Sequence, residues 1–146
     1  MNTFLPYPSF EETAHVLDRQ RLGKQRIEAL EILRIIENPS SRSMWRWHPA
    51  VLMWDGFSPL LAAYGLVTCE EWKQRGYRDN LMSEIYQIVT PGTTSLSPWW
   101  LGDDRLHESH KSNLLRKAPE HYRRYWPDLR DDLPYWWPVK KKREQQ

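Results

Sequence analysis

The sequence predicts an all-α protein, and three observations carry that prediction. Apolar residues recur at three- and four-residue spacing along residues 18–37. Helix start and stop signals punctuate the chain: Ser9 with Glu12, His48-Pro49, Ser58-Pro59, Gly76 and Pro119. No stretch shows the period-two alternation of a half-buried strand.

Taken in order, residues 1–8 are extended, because Pro6 and Pro8 bar an early helix. Ser9-Phe10-Glu11-Glu12 reads as a capping box with Ser9 as N-cap, followed by helix to about Leu17. Asp18 caps or continues into the strongest helix, residues 18–37. Its apolar positions Leu22, Ala29, Leu33 and Ile36 share a face, and Asn38-Pro39 ends it. Residues 38–47 form a loop. His48-Pro49 opens a short helix with proline at its first position, and Gly56 interrupts it. Ser58-Pro59 starts a longer helix to about Arg75, with Gly76 at its C-terminal cap. A weaker helix covers about 79–89, and a Pro/Gly/Ser/Thr loop covers 90–103. Two more helices follow, at about 104–117 and from Pro119 to about Trp126. From Pro127 the chain is Pro-rich and expected on the surface.

The length of 146 residues suits one domain. Its expected extent is 1–138, with 139–146 a basic, disordered tail. With 40% apolar and 27% charged residues, the chain can bury one core. No apolar run approaches the ~20 residues of a spanning helix, so no membrane partner is expected. The first 15 residues lack a basic segment followed by an apolar run, so no signal peptide is expected. Cys69 is the single cysteine, which excludes an internal disulfide framework and a cysteine zinc cluster. It fits a reducing, cytoplasmic location.

Net charge is only +2, but its distribution is uneven. Residues 1–104 carry 10 Lys/Arg against 13 Asp/Glu; residues 105–146 carry 11 against 6. The basic third also holds Tyr122, Tyr125, Trp126, Tyr135, Trp136 and Trp137. Basic residues among aromatics suit a phosphate backbone and unstacked bases; a solvated helix with a basic tail has the same composition.

On the helix at 18–37, Arg21, Lys24 and Glu28 fall within about 60° of one another, with Gln25 beside them and Asp18 one turn earlier. That stripe is either a solvent-facing ladder or a carboxylate framed by cations at a phosphodiester, and spacing leaves both open. His107 and His110 lie three apart with Glu108 between. A metal site needs more ligands than this pair supplies, so neither metal nor cofactor is expected. No glycine-rich phosphate loop or nucleophile elbow is present.

Three ordered stretches resemble the pyrimidine dimer DNA glycosylases, the phage endonuclease V family. The first is Leu17 to Glu28, with the pattern LD..RL.KQ..E. The second runs from His48-Pro49 through Met53-Trp54-Asp55-Gly56-Phe57 to Cys69–Tyr77. The third is His107–Lys117 with Pro119–Tyr125. The likeness covers a little over half the chain and is closest to small bacterial and phage relatives; residues 86–104 and 127–146 lie outside it.

The resemblance implies a compact helical fold with the N-terminus in the active site. It implies excision of a pyrimidine through a Schiff base on the α-amino group, followed by strand scission. The family's glutamate falls on Glu28, and its nearby basic residues fall near Arg21, Lys24 and Arg26. Two positions depart from the pattern. Ile27 stands where the phage enzyme has an arginine, so Arg26 substitutes from the next position. Asn2 stands where the family has a small residue that allows removal of Met1. The nucleophile is then Met1's own amine, displaced by up to about 3.6 Å, or that of Asn2 if Met1 is removed. An α-amine suits the role, since with a pKa of ~7.7–8 roughly a third is unprotonated at pH 7.5, against about 0.1% for a lysine.

The expected catalytic residues are therefore Met1 or Asn2 together with Glu28. The expected DNA contacts are Arg21, Lys24, Arg26, His48, Lys111, Arg116, Lys117, Arg123 and Arg124, with Tyr122 and Tyr125 stacking or wedging. The expected partner is double-stranded DNA, bound by a monomer. A DNA-binding module without catalysis, and a helical protein whose basic face meets an acidic partner, are the competing readings.

Overall fold

The computed structural model describes residues 1–90 and 97–139. Among them are seven helices and no strand: α1 (Phe10–Val16), α2 (Arg19–Ile36), α3 (Pro49–Leu52), α4 (Ser58–Gln74), α5 (Met82–Ile88), α6 (Asp104–Lys117) and α7 (Pro119–Tyr122). None of these is long and apolar enough to cross a membrane. The basic run Lys140–Arg143 lies outside the described residues.

Helix α2 is central because it carries two apolar faces. Its second half, Ala29 to Ile35, joins Trp54, Leu61, Tyr64, Ile85 and Trp100 in one core. Leu22, near its start, joins Phe4, Leu17, Leu114, Leu115 and Tyr122 in another. Helix α4 lies closely against α2, and Gly65 is where they meet. A Cβ there would stand 3.0 Å from the Ile85 side chain and 3.3 Å from Ala29. The Arg75 guanidinium, just past α4, donates to the carbonyls of Ala14, His15 and Leu17 at 2.7–3.1 Å. It thereby satisfies orphan acceptors at the end of α1.

Ser9 caps α1 as expected, its hydroxyl accepting from the Glu12 N–H at 3.1 Å. Two helices are shorter than the sequence suggests. Helix α5 begins at Met82 because the Asp79 carboxylate takes the N–H groups of Leu81 and Met82 in a turn. Helix α7 ends at Tyr122, where Tyr125 N–H bonds back to the Tyr122 carbonyl and Trp126 stacks on the Tyr122 ring at 5.4 Å. Of the loop pair, Trp99 is exposed but Trp100 is buried against Trp54, centroids 5.0 Å apart.

The segment after α7 is not a loose surface strap. Leu133 N–H and Trp136 N–H donate to the hydroxyls of Ser112 and Ser109 on α6. Arg116 donates to the carbonyls of Asp131 and Leu133. Val139, placed by the sequence in the tail, packs against the first core.

Candidate active site

Residues 2–5 are buried and outside any helix or sheet, so their backbone groups must find bonds elsewhere. Side chains of three helices supply them. Gln25 on α2 accepts from Phe4 N–H at 2.7 Å and donates to the Asn2 carbonyl at 3.3 Å. Tyr64 on α4 donates to the Phe4 carbonyl at 2.8 Å. On α6, His110 Nδ1 accepts from Leu5 N–H at 2.8 Å and His107 Nδ1 donates to the Leu5 carbonyl at 2.7 Å.

The partners fix both tautomers. His107 Nε2 accepts from Gly102 N–H, so its proton is on Nδ1. His110 accepts at Nδ1, so its proton is on Nε2, where it has no hydrogen-bond partner. Burial holds both imidazoles below their ordinary pKa, and in His110, helped by the neighbouring His107, the value falls to about 3. These two histidines grip the N–H and the carbonyl of one residue, Leu5, on the N-terminal segment.

That grip delivers the chain start to Glu28. The backbone nitrogen of Asn2 lies 3.2 Å from Glu28 Oε2, which also accepts from Gln25 Nε2 at 3.0 Å. Lys24 Nζ stands 3.8 Å from the other carboxylate oxygen, Oε1. Glu28 is only 7% exposed, so it is not part of a solvent-facing ladder. It opens instead onto a cavity of about 440 Å³. Met1, Asn2, Gln25 and Glu28 form one side of this cavity, and Arg21, Lys24 and Lys117 supply its cations. Phe4, His48, Tyr135 and Trp137 line it with rings. Of the three cations, Lys24 meets Glu28, Arg21 pairs with Asp18 at 3.3 Å and Lys117 lines the cavity; positive groups beside a carboxylate suit a phosphodiester.

The structure divides the sequence-predicted residues. Met1, Asn2, Glu28, Arg21, Lys24, His48 and Lys117 line the same cavity. His48 also caps α3, its Nδ1 accepting from Ala50 N–H, with its ring between Trp45 and Trp137. Lys111 lies over the rings of Tyr7 and Trp126, outside the cavity. Arg124 and Tyr125 are exposed on the same side of the chain as each other, the guanidinium 5.5 Å over the ring.

Four residues need correction. Tyr122 is fully buried and its hydroxyl bonds Asp18, so it cannot stack on a base. Arg26 is buried and bonds Asp79 through two nitrogens at 2.7 and 3.0 Å, so it is not open to a phosphate. Burial would raise Asp79, but the bonds from Arg26 prevail and hold it below the usual carboxylate range. Arg26 also stacks on Trp72, which stacks on Tyr77, with Arg19 over the far face. Arg116, which is exposed, and Arg123, which is half-buried, spend their donors on carbonyls of residues 127–133 of their own chain.

Sequence reasoning missed Gln25 as the organiser, the histidine pair as a clamp, and Tyr135 and Trp137 as cavity walls. A signal for the last was present. Ser109, Ser112, Asn113 and Arg116 form a polar stripe at helical spacing, and a stripe of small polar residues on a buried face needs a backbone to bind.

A family model described as pyrimidine dimer DNA glycosylase matches residues 1–85, from the buried chain start through α2 and α4 into α5. Neither the curated proteins nor the solved structures give a match. The matched stretch contains Asn2, Gln25 and Glu28 and covers more than half of the chain, which therefore belongs to the pyrimidine dimer DNA glycosylase family.

Proposed function

We propose that the protein excises a damaged or modified pyrimidine from double-stranded DNA through a Schiff base on its N-terminal amine, and then cleaves the strand at the resulting abasic site. The observation that carries this is the 3.2 Å approach of the Asn2 backbone nitrogen, one residue from the chain start, to a buried Glu28 in a cation-lined cavity.

The chemistry follows from the groups present. The amine attacks the anomeric carbon as the glycosidic bond breaks, and the electron pair leaves with the base. The Glu28 carboxylate stabilises the cationic sugar and accepts the amine's proton. Ring opening gives the imine. Loss of a proton from C2′ then expels the 3′ phosphate by β-elimination. Arg21, Lys24 and Lys117 hold the phosphates flanking the reacting sugar, while Lys111, Arg124 and Tyr125 extend the contact outside the cavity. The nitrogen that meets Glu28 is Asn2's, which favours a working form whose chain starts there; with Met1 in place the amine lies one residue further out in the same cavity.

Borohydride trapping on duplex DNA with an abasic site tests the amine mechanism, since it needs no knowledge of the base. The adduct should map to the N-terminal peptide, and its mass should show whether Met1 is present. An adduct on Lys24 would overturn the nucleophile assignment and keep the glycosylase chemistry. DNA binding without any adduct would leave a DNA-binding module that lacks catalysis.

A further inference from the structure

The loop between α2 and α3 has no part in the chemistry described so far. Residues 38–48 contain two arginines and no carboxylate. Among the described residues, no carboxylate forms an ion pair with Arg42 or Arg46. Met44, 86% exposed, is the most open large apolar side chain described, and Trp45 and Trp47 beside it are exposed too. Single exposed apolar side chains are ordinary, but three within four positions, set among cations, mark an interaction surface. The backbone fixes this tip. Trp45 N–H donates to the Ser43 hydroxyl, Arg46 N–H to the Ser43 carbonyl and His48 N–H to the Trp45 carbonyl, at 2.9–3.2 Å. Met44 thus stands on two linked turns.

The loop also runs directly into the cavity. His48 lines it, the Trp45 ring meets His48 edge-on at 5.3 Å, and His48 meets Trp137, a further lining residue, at 5.4 Å. Met44 is four residues from His48, so it lies within about 14 Å of the cavity wall, the height of about four base steps.

We infer that this loop is a wedge for duplex DNA, in which Met44 enters the base stack beside the lesion while Arg42 and Arg46 hold the flanking phosphates. The inference rests on the proposed site and deepens it. A stacked, paired nucleotide keeps its sugar inside the duplex, and the anomeric carbon meets the Asn2 nitrogen and Glu28 only when that nucleotide is drawn out. Opening a base step is costly, and an apolar side chain in the gap offsets the cost by covering the bared ring faces. Methionine suits an irregular gap, being unbranched and polarisable. Turns set in advance leave little of the loop to be ordered on binding. A lipid surface accepts a similar tip, but this one continues into a cation-lined cavity of a chain from a DNA glycosylase family, which favours DNA.

The test needs no knowledge of the excised base. Borohydride trapping rates are compared on an abasic site in a fully paired duplex and on the same site in an unpaired bubble, where the stack is already open. Met44→Ala should slow trapping about tenfold more on the paired duplex than on the bubble. Met44→Leu, which keeps an apolar wedge, should restore the wild-type ratio. In binding measurements, 2-aminopurine beside a stable abasic analogue should brighten when wild type binds and brighten less with Met44→Ala. Replacing Arg42 and Arg46 together by alanine should lower the salt slope of log affinity by about 1.8. Equal effects of Met44→Ala on paired and open DNA overturn the inference, as does an unchanged salt slope in the double variant. If Met44→Ala instead abolishes binding to anionic phospholipid vesicles and leaves DNA behaviour unchanged, the loop meets a membrane surface and the inference falls. A wild-type protein that forms no adduct on either DNA overturns the reading of the site, while the 2-aminopurine comparison still decides whether the loop enters the stack.

Discussion

The two sides of the cavity are built on different physical principles. One side is α2, where Arg21, Lys24, Gln25 and Glu28 are set by helical spacing. The other is the irregular segment 127–139, where Tyr135 and Trp137 are set by backbone bonds to Ser109, Ser112 and Arg116 of α6. The first wall is rigid because its hydrogen bonds are internal to a helix. The second is only as firm as a few side chains reaching across from a neighbour. In the proposed reaction the first wall supplies the carboxylate and the second supplies ring surface.

The largest expected effect lies on the helical wall. Glu28→Gln keeps the volume and loses the charge, so base release should fall by a factor of about 10²–10⁴ while the duplex still binds. Single-turnover kinetics with a gel-shift and a thermal melt check it. Wild-type turnover in this variant would remove the distinction between the walls, since neither would then carry the chemistry.

On the other wall, Arg116→Ala removes the donors that hold the carbonyls of Asp131 and Leu133. The loss of stability should be about 1–3 kcal/mol by urea unfolding. Limited proteolysis should cut residues 127–139 first. If the cut falls elsewhere, the segment is held by its rings and not by α6.

The histidine clamp on the N-terminal segment should respond to acid. A histidine in the unfolded chain titrates near 6.5, and His110 in the fold only at about 3. Above pH 6.5 neither state takes the proton and this site adds no pH dependence. As pH falls below that value, the unfolded chain binds a proton that the native state refuses. Stability therefore drops by up to about 1.4 kcal/mol per pH unit. The thermal midpoint should fall between roughly pH 6.5 and 5. His110→Asn, which keeps an acceptor for Leu5 N–H, should flatten that part of the profile.

The smallest effect concerns the rim. Lys117→Ala should weaken binding on all sequences alike and reduce the salt slope of log affinity by about 0.9. Arg26→Lys should leave the slope unchanged and lower stability instead, since Arg26 bonds Asp79 and stacks on Trp72.

How far the sequence was legible follows the same division. The long helices could be read from spacing and caps because those are local properties. Glu28 could be placed on one face with Arg21 and Lys24, although not inside or outside the protein, because that depends on what packs above it. Residues 1–5 do that packing, and nothing local announces it. Gln25 looked like a flank of the stripe, yet its amide makes four bonds that tie Asn2, Phe4, Tyr64 and Glu28 together. The basic character of the C-terminal third was misleading for Arg116 and Arg123. An arginine that binds carbonyls of its own chain has the same composition signature as one that binds phosphate. Gly23 is legible only in three dimensions: a Cβ there would meet the Trp72 ring at 3.0 Å.

The histidine grip on Leu5 spans more than 100 residues of chain. During synthesis the first five residues therefore leave the ribosome long before α6 exists to hold them. Until His107 and His110 emerge, the chain start stays open to the enzymes that trim new proteins. Once they fold back, Asn2 to Leu5 are buried, with the Asn2 nitrogen beside Glu28. A half-made chain without α6 thus lacks the two side chains that hold Leu5 and, through it, bring Asn2 to Glu28.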